Sequence, residues 1–413
     1  MRKELVHQSF PLTNTDLTNI VFGACFFASG GGGPVSMAQT FLTRITKTVY
    51  FINTEDLESG KLALMVADEG SPDAAKQGKG FSAPVNVYEV MTNLMASQGT
   101  EISYLLAAEL GAVNTLLPFF IASQLPNPIP VINGDPSGRA VPQLDMTLLD
   151  VAGLPICPAA VASDTDPTTG NYQSQLFYNL TPEQLEEQSR DVVVSYGGVG
   201  GLACYPVDGS QLNRDIPGNE DRLIQGSIGL CWNIGQQILQ YQPLLNLQQL
   251  LNSFNVYNIQ FITGTITKID NRTSGGFDVG KIIVTDSAGA SFWIYYKNES
   301  LLAWDPQYNQ PRAIAPDGIV FMLAQEYEFP AGTPVTNADI QQGISYTIMG
   351  LGAFEKLRNP TLENLFLQNI QQVLAAFPED HVNITQYIPI QNLNLQLEAR
   401  QSETSEKQAV GKR

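Results

Sequence analysis

The sequence predicts a mixed α/β chain, with an N-terminal α/β domain followed by a smaller β-rich domain that is either a barrel or a sandwich. Three observations predict it. Helix-like and strand-like segments alternate up to about residue 165, a pattern that brings strands together in parallel through crossovers. From residue 256, short β-rich runs are separated by Asn, Ser and Gly turns. The 413 residues are 43% hydrophobic, enough for a sizeable core and more than one domain. The expected division is 1–170 for the α/β domain, 171–255 for a mainly helical connection packed on it, 256–350 for the β-rich domain, and 351–413 for a C-terminal helix and polar tail.

Residues 14–27, NTDLTNIVFGACFF, follow an Asn or Thr cap and carry apolar positions at helical spacing, so they predict a helix. ASGGGGP then stops it. Gly30, Gly31, Gly32 and Gly33 form either a flexible connector or a loop whose amides approach a ligand closely. The loop lacks the Lys-Ser/Thr of a phosphate-binding loop and the spacing of a dinucleotide fingerprint. TVYFI (48–52) and KLALMVA (61–67) read as strands around a helical turn, and DEGSPDAAKQGKG (68–80) as a loop. Residues 85–97 and 101–110 suit helices. The apolar segment 102–125 tempts a membrane reading, but Glu109, Asn114 and Pro118 interrupt it, so a buried helix, a break and a second short element fit better. PIPVI (128–132) reads as a strand leading into the turn-rich stretch NGDPSGRAVPQLDM (133–146). VVV at 192–194 suits a short strand or helix, and 220–240 a helix with Gly interruptions. NIQFITGTITKID (258–270), GKIIVTD (280–286), ASFWIYY (290–296), AIAPDGIVFML (313–323) and GISYTIMG (343–350) supply the β-rich domain. Residues 361–378 form an amphipathic helix, and EARQSETSEKQAVGKR (398–413) is polar.

Charge and composition exclude several functions. The net charge of −18 repels a polyanion, and no Lys/Arg run offsets it, so nucleic acid is not an expected partner. The first residues show no secretory signal, which points to the cytoplasm, and no membrane association is expected. Cys25, Cys157, Cys204 and Cys231 form no CxxC pair and suit reduced core thiols. The two histidines, His7 and His381, lie near the ends, so a Ser-His-Asp or Cys-His constellation would have to recruit a terminal segment. Proton transfer in such a chain runs through carboxylates.

Glu109 and Asn114 sit in a segment apolar enough to be buried, and an unpaired buried carboxylate requires a partner or a shifted pKa. Arg139 is the natural partner. The pair either orders the 133–146 loop or works beside Asp135, which would activate a water while Arg139 or Asn114 donates to a ligand. Glu109, Asp135 and Asn114 also offer oxygens to a divalent cation such as magnesium or calcium, and no other cofactor is indicated. Asn298 and Glu299 in YKNES either cap a turn or reach a site across domains. Asp317 reads as a turn residue, Cys25 as a buried structural thiol, and Glu89 as a helix-surface or capping residue.

GACFFASGGGGP (23–34), APVNVYE (83–89), ELGAVNTLLP (109–118), NGDPSGRAVPQLDM (133–146), RTSGGFDVG (272–280), YKNESLLA (296–303) and APDGIVFM (315–322), in this order, resemble the S-methyl-thiohydantoin desulfurase-like family. The resemblance covers roughly residues 15–350. It implies a three-layer α/β domain followed by a region containing a β-barrel, and hydrolytic removal of a sulfur substituent from a thiohydantoin-type ring. The residues expected to be catalytic are Glu109, Asp135 and Arg139, with Gly30, Gly31, Gly32, Gly33, Asn114 and Gly138 expected to bind substrate. Asn133 stands where the family more often has Asp, Gln143 where it has Glu, and Ala112 where it has Gly. The expectation is a hydrolase of small cyclic imides or thiohydantoin-type rings, its partner a small-molecule ligand. The alternative is a non-catalytic relative that binds a ligand or assembles with itself, and a homo-oligomer is compatible with both.

Overall fold

The computed structural model describes residues 9–70, 81–240, 244–274 and 277–397. Most of the loop expected at 68–80, the polar tail from 398 and His7 lie outside those residues. In chain order the strands of the N-terminal half are β1 (Phe10–Leu12), β2 (Val49–Ile52), β3 (Leu62–Gly70), β4 (Ile102–Ala107), β5 (Val131–Ile132), β6 (Gly134–Asp135), β7 (Ala159–Ala162), β8 (Ser174–Phe177), β9 (Val199–Asp208) and β10 (Ile224–Gln225). Eight of them form one sheet in the order β1-β2-β5-β4-β3-β9-β7-β8, and β6 pairs antiparallel with β10. Pairing is parallel from β2 through β5 and β4 to β3, and antiparallel in the rest of that sheet.

The helices are α1 (Asn14–Phe27), α2 (Val35–Arg44), α3 (Ala83–Ser97), α4 (Leu117–Gln124), α5 (Leu148–Val151), α6 (Pro182–Ser195), α7 (Gly209–Leu212), α8 (Ser227–Leu239), α9 (Leu244–Ser253) and α10 (Pro360–Ala375). The two-residue alternation of β3 makes the layers. Leu64 and Val66 face a core shared with α1 to α4 and α8, whereas Ala63, Met65 and Ala67 face one shared with α5 to α7. The N-terminal half therefore has three layers. The start of α1 is fixed by a capping box: Thr13 Oγ1 accepts from the Asp16 amide at 3.2 Å, and the Asp16 carboxylate accepts from the Thr13 amide at 2.8 Å. The Gly interruption expected in 220–240 has a packing cause. A Cβ at Gly235 would overlap the Asn19 carbonyl of α1, and one at Gly23 the Cys231 carbonyl of α8, so only glycine lets these helices pack so closely.

Two expectations change here. Residues 101–110, expected as a helix, contain β4, because a short apolar run buried on both faces of a parallel sheet carries no period that separates it from a buried helix. The connection at 171–255, expected as mainly helical, also contributes β8 and the ten-residue β9, so the N-terminal sheet is completed by strands beyond residue 170. VVV at 192–194 lies in α6. Among the described residues no helix is long and apolar enough to cross a membrane, and the 102–125 segment resolves into β4, a turn and the eight-residue α4.

The C-terminal half is an antiparallel sheet of β11 (Asn258–Ser274), β12 (Phe277–Thr285), β13 (Ser291–Lys297), β14 (Glu299–Asp305), β15 (Gln310–Ile314), β16 (Gly318–Leu323), β17 (Pro334–Val335) and β18 (Ser345–Leu351), ordered β15-β14-β13-β12-β11-β18-β16-β17. Ile266, Ile282, Ile294, Ala303, Ala313, Phe321 and Ile348, from strands across the sheet, converge on one core, which is a barrel-like curl. The outer side of β13 and β14 is covered by α10: Phe366, Ile370, Val373 and Leu374 pack on Tyr295, Leu302 and Trp304. Each fully buried side chain of this size contributes about 1.5–3 kcal/mol. The apolar face of the C-terminal helix is thus buried within the chain.

Candidate functional site

A cavity of about 120 Å³ opens where the C-terminal end of β3 and the residues after β4 meet the turn between β13 and β14. That volume is many times the ~10–15 Å³ that one water molecule requires. Its wall carries Asp68 and Glu69 from the end of β3, Glu109 and Asn114 from the segment after β4, Gln143 from the 133–146 loop, Glu186 and Arg190 from α6, and Asn298 and Glu299 from the barrel. Strand ends are where a sheet delivers side chains past its own packing, so one open end gathers polar groups from distant stretches of chain.

Glu109 is 7% exposed. Its Oε1 accepts from Asn114 Nδ2 at 2.7 Å, and its Oε2 accepts from the Val141 amide at 2.8 Å. Burial raises its pKa to about 7, against the lowering effect of those two hydrogen bonds. Asn114 is held in turn, its Oδ1 accepting from the Asp68 amide at 3.0 Å. Glu69 accepts from the Ser189 hydroxyl at 2.7 Å through Oε1, and its Oε2 has no partner among the described residues. Burial and the neighbouring Glu186 push the Glu69 pKa up to about 8. Glu299 also keeps an unpartnered Oε2, and burial with the Glu109 charge raises it to about 8. Both Asp68 oxygens are buried without partners among the described residues, and burial holds its pKa well above the usual range. Glu186 is engaged, by Arg190 Nε and by the Leu144 amide at 3.1 Å.

The other expected site residues stand elsewhere. Asp135 is fully buried outside the cavity wall; its Oδ1 accepts from the amides of Ser137 and Gly138, so it braces its own turn. Burial raises it to about 6, opposed by the nearby Ser227 hydroxyl and those amides. Arg139 does not pair with Glu109 in the expected way. Its guanidinium donates to the carbonyls of Ala140 (3.0 Å), Pro316 (3.2 Å), Asp317 (3.0 Å) and Ser300 (2.8 Å), and it stacks on Phe366. It clamps the 133–146 loop to the barrel. Gly138, with φ +63°, packs against Phe354 and Leu357 rather than the cavity.

The four glycines divide in the same way. Gly32 and Gly33 line the cavity, and Gly30 and Gly31 do not. A Cβ on Gly32 would overlap the Gly111 Cα, and the Gly32 carbonyl accepts from the Val113 amide at 2.9 Å, so the loop is a close backbone junction. Gly30 and Ser29 join it to the barrel, through Asn337 N to Gly30 O at 2.8 Å and Ser300 N to Ser29 O at 2.7 Å. Because Asp135 is turned away, Glu109, Asp135 and Asn114 do not form a cation-binding set. Among the described residues no group of three or more His, Cys, Asp or Glu side chains is arranged to hold a metal ion.

Asp68, Glu69, Glu186 and Arg190 were not anticipated as site residues. The acidic pair directly after KLALMVA was the available signal, since polar residues at the end of an apolar strand are placed where a sheet meets its ligand. Glu186 and Arg190 gave only an i,i+4 pair on an amphipathic helix. Asn298 satisfies both of its readings: at φ +55° its Oδ1 accepts from the Asp278 amide at 2.9 Å and shapes the turn, while it also lines the cavity. Asn133 bridges Asn53 (2.9 Å) and the Gly229 amide (2.9 Å) outside the cavity. Gln143 is at the wall, accepting from Asn369 Nδ2 at 2.8 Å.

Comparison with known proteins gives three findings. A crystal structure of a protein from Chromobacterium violaceum superposes with a TM-score of 0.75 at 24% identity, covering 92% of this chain and all of that one, which shows a shared fold. No curated protein matches the chain. Residues 15–170 match the S-Me-THD-like N-terminal domain and residues 181–366 the S-Me-THD-like C-terminal domain. With both domains present in order on one fold, the chain belongs to the S-Me-THD-like family, that of the S-methyl-thiohydantoin desulfurase-like proteins.

Proposed function

We propose that this protein hydrolyses a small thiohydantoin-type ring at the carbon that bears sulfur. The observation that carries the reading is Glu109: a carboxylate on the cavity wall, oriented by two N–H donors, with its pKa raised to about 7. A general base works best with a pKa near the operating pH. Family membership supports the substrate class.

In the proposed reaction Glu109 takes a proton from water as the water oxygen bonds to the ring carbon. A neutral cavity carboxyl, Glu299, gives its proton to the adjacent ring nitrogen, which accepts the displaced electron pair of the C=N bond. The tetrahedral carbon then collapses: the C–S bond breaks, C=O forms, and the thiolate leaves with the proton held on Glu109. The ring nitrogen keeps the proton from Glu299, and the new carbonyl's hydroxyl proton returns to Glu299. The net change is one water consumed, one thiol released and one ring carbonyl formed. The test is release of free thiol from a panel of S-alkylated thiohydantoins, measured with a thiol-reactive dye beside oxygen-only hydantoins. Thiol release at a rate above the enzyme-free control is the expected result, and none across the panel overturns the reading.

A further inference from the structure

The C-terminal helix reaches the cavity through a chain of hydrogen bonds. Asn369 stands on α10 and is 2% exposed. Its Oδ1 accepts from Lys297 Nζ at the end of β13 at 2.8 Å, while its Nδ2 donates to the Leu365 carbonyl at 3.0 Å and to Gln143 Oε1 at 2.8 Å. An ammonium group has only donors and a carbonyl oxygen only accepts, so turning the Asn369 amide over would set donor against donor at Lys297 and acceptor against acceptor at Leu365. Two independent neighbours therefore fix that amide. What it offers Gln143 is an N–H, and Gln143 answers with its oxygen. Gln143 lines the cavity, and its Nε2 donates to no group among the described residues. The same strip of chain holds Glu109, whose Oε2 accepts from the Val141 amide at 2.8 Å. Asn114, the amide on the other side of Glu109, is turned to that carboxylate and to the Asp68 amide.

We propose that Lys297 and Asn369 are positioning residues that fix the polarity of Gln143, so that its amide N–H groups face the cavity and donate to an oxygen acceptor of the bound molecule. The inference rests on the reading of the cavity as a hydrolase site, and it adds to that site two residues of the barrel and the C-terminal helix that do not line it. A donor already oriented when the ligand arrives loses little freedom on binding and needs no reorganisation as charge develops. Without Asn369, Gln143 could present either end of its amide. With Asn369 held by Lys297 and Leu365, only the N–H end is left for the ligand. A carboxylate at position 143 would bond to the same Asn369 N–H and turn its second oxygen to the cavity, an acceptor in place of a donor. The wall already carries Asp68, Glu69, Glu109, Glu186 and Glu299, so a neutral donor among them changes which ligand atom can lie there.

The experiment is a double-mutant cycle on the full chain, with hydantoin, an oxygen-only ring whose carbonyls are acceptors, as the probe. Affinity is measured by calorimetric titration. The Gln143 side-chain amide is followed by nuclear magnetic resonance on protein labelled with nitrogen-15 glutamine, its signal being the one missing from Gln143→Met. Asn369→Asp keeps the side-chain shape and an oxygen for Lys297 but sets an acceptor where Nδ2 stood, so the Gln143 amide is expected to turn over. Hydantoin is expected to shift the Gln143 signal in the parent, and its affinity to fall about tenfold in Gln143→Met and in Asn369→Asp. In the Gln143→Met background Asn369→Asp is expected to cost less than about twofold more, because the group it positions is gone. Asn369→Ala, which frees the Gln143 amide without opposing it, is expected to weaken binding about threefold in the parent and not at all in that background. Losses that add in the double variants overturn the inference, as does affinity unaltered by both Asn369 substitutions or a Gln143 signal that hydantoin does not move. Thiol release from an S-alkylated ring together with additive losses sinks the inference and leaves the hydrolase reading standing. Non-additive losses with no thiol release do the reverse.

Discussion

In the 133–146 loop the buried Arg139 meets four carbonyl oxygens and one oxygen of Asp135 meets two amides, whereas at the cavity Glu69 and Glu299 each keep an oxygen with no partner among the described residues. Both regions bury charge. The loop balances most of it internally, which costs desolvation but returns a fixed junction between the two halves of the chain. At the cavity wall Glu69 and Glu299 lack that full set of partners, and burial raises both to about 8, further than the rise of Asp135 to about 6. The difference teaches that a charged residue in a motif is not by that fact a site residue. What distinguishes Arg139 from Glu69 and Glu299 is whether the surrounding protein already supplies the full set of hydrogen-bond partners.

That contrast breaks or sharpens by substitution. Glu109→Gln keeps a side chain of the same shape in the cavity but cannot take a proton, so thiol release is expected to fall about 10²–10⁴-fold with the fold intact. Asp135→Asn keeps the acceptor that holds the Ser137 and Gly138 amides, and its rate is expected within threefold of the parent. If Asp135→Asn loses as much as Glu109→Gln, the division between loop and cavity is wrong.

Arg139→Ala is expected to act on stability. It strips donors from the carbonyls of Ala140, Pro316, Asp317 and Ser300 and leaves a large void, at a cost of about 3–5 kcal/mol in urea unfolding. A loss under about 1 kcal/mol would mean that Arg139 does not clamp the loop to the barrel.

The mildest effect is on pH dependence. Glu69, Glu109 and Glu299 have folded pKa values of about 8, 7 and 8 against an ordinary 4.5, so the folded state binds more protons than the unfolded state between those limits. Stability contributed by these groups is fully present below about pH 4.5 and is lost as pH rises through 7 to 8. Urea midpoints should therefore fall from pH 5 to pH 8, and the fall should shrink in Glu69→Gln and Glu299→Gln. A flat profile in the parent would contradict uncompensated carboxyls at the wall.

The same physical difference decides what could be read ahead of the structure. α1, β2, β3 and α3 were legible because caps, turns and apolar period act within a few residues. β4 was not, since ISYLLA is apolar on both faces. β9 was hidden by its glycines: Gly200 lies against the Ala162 carbonyl and Gly201 against Ala83, so this strand is selected by close packing rather than by propensity. In the site, Glu109 and Asn114 were legible as polar residues stranded in an apolar run, and Gly32 and Gly33 by their position. Glu69 and Glu299 line one cavity only because strand ends of the two halves face it.

Local chemistry along the chain was enough to specify an α/β half, a β-rich half and the buried polarity around Glu109, because period, capping and desolvation depend on neighbours in sequence. Which charged residues were consumed by the fold and which were left facing the cavity was settled by the tertiary structure alone. The carbonyls of Ser300 and Asp317 that accept from Arg139 lie more than a hundred residues away in the chain, and Glu69 and Glu299, each with an Oε2 unpartnered among the described residues, reach one cavity from opposite halves of it.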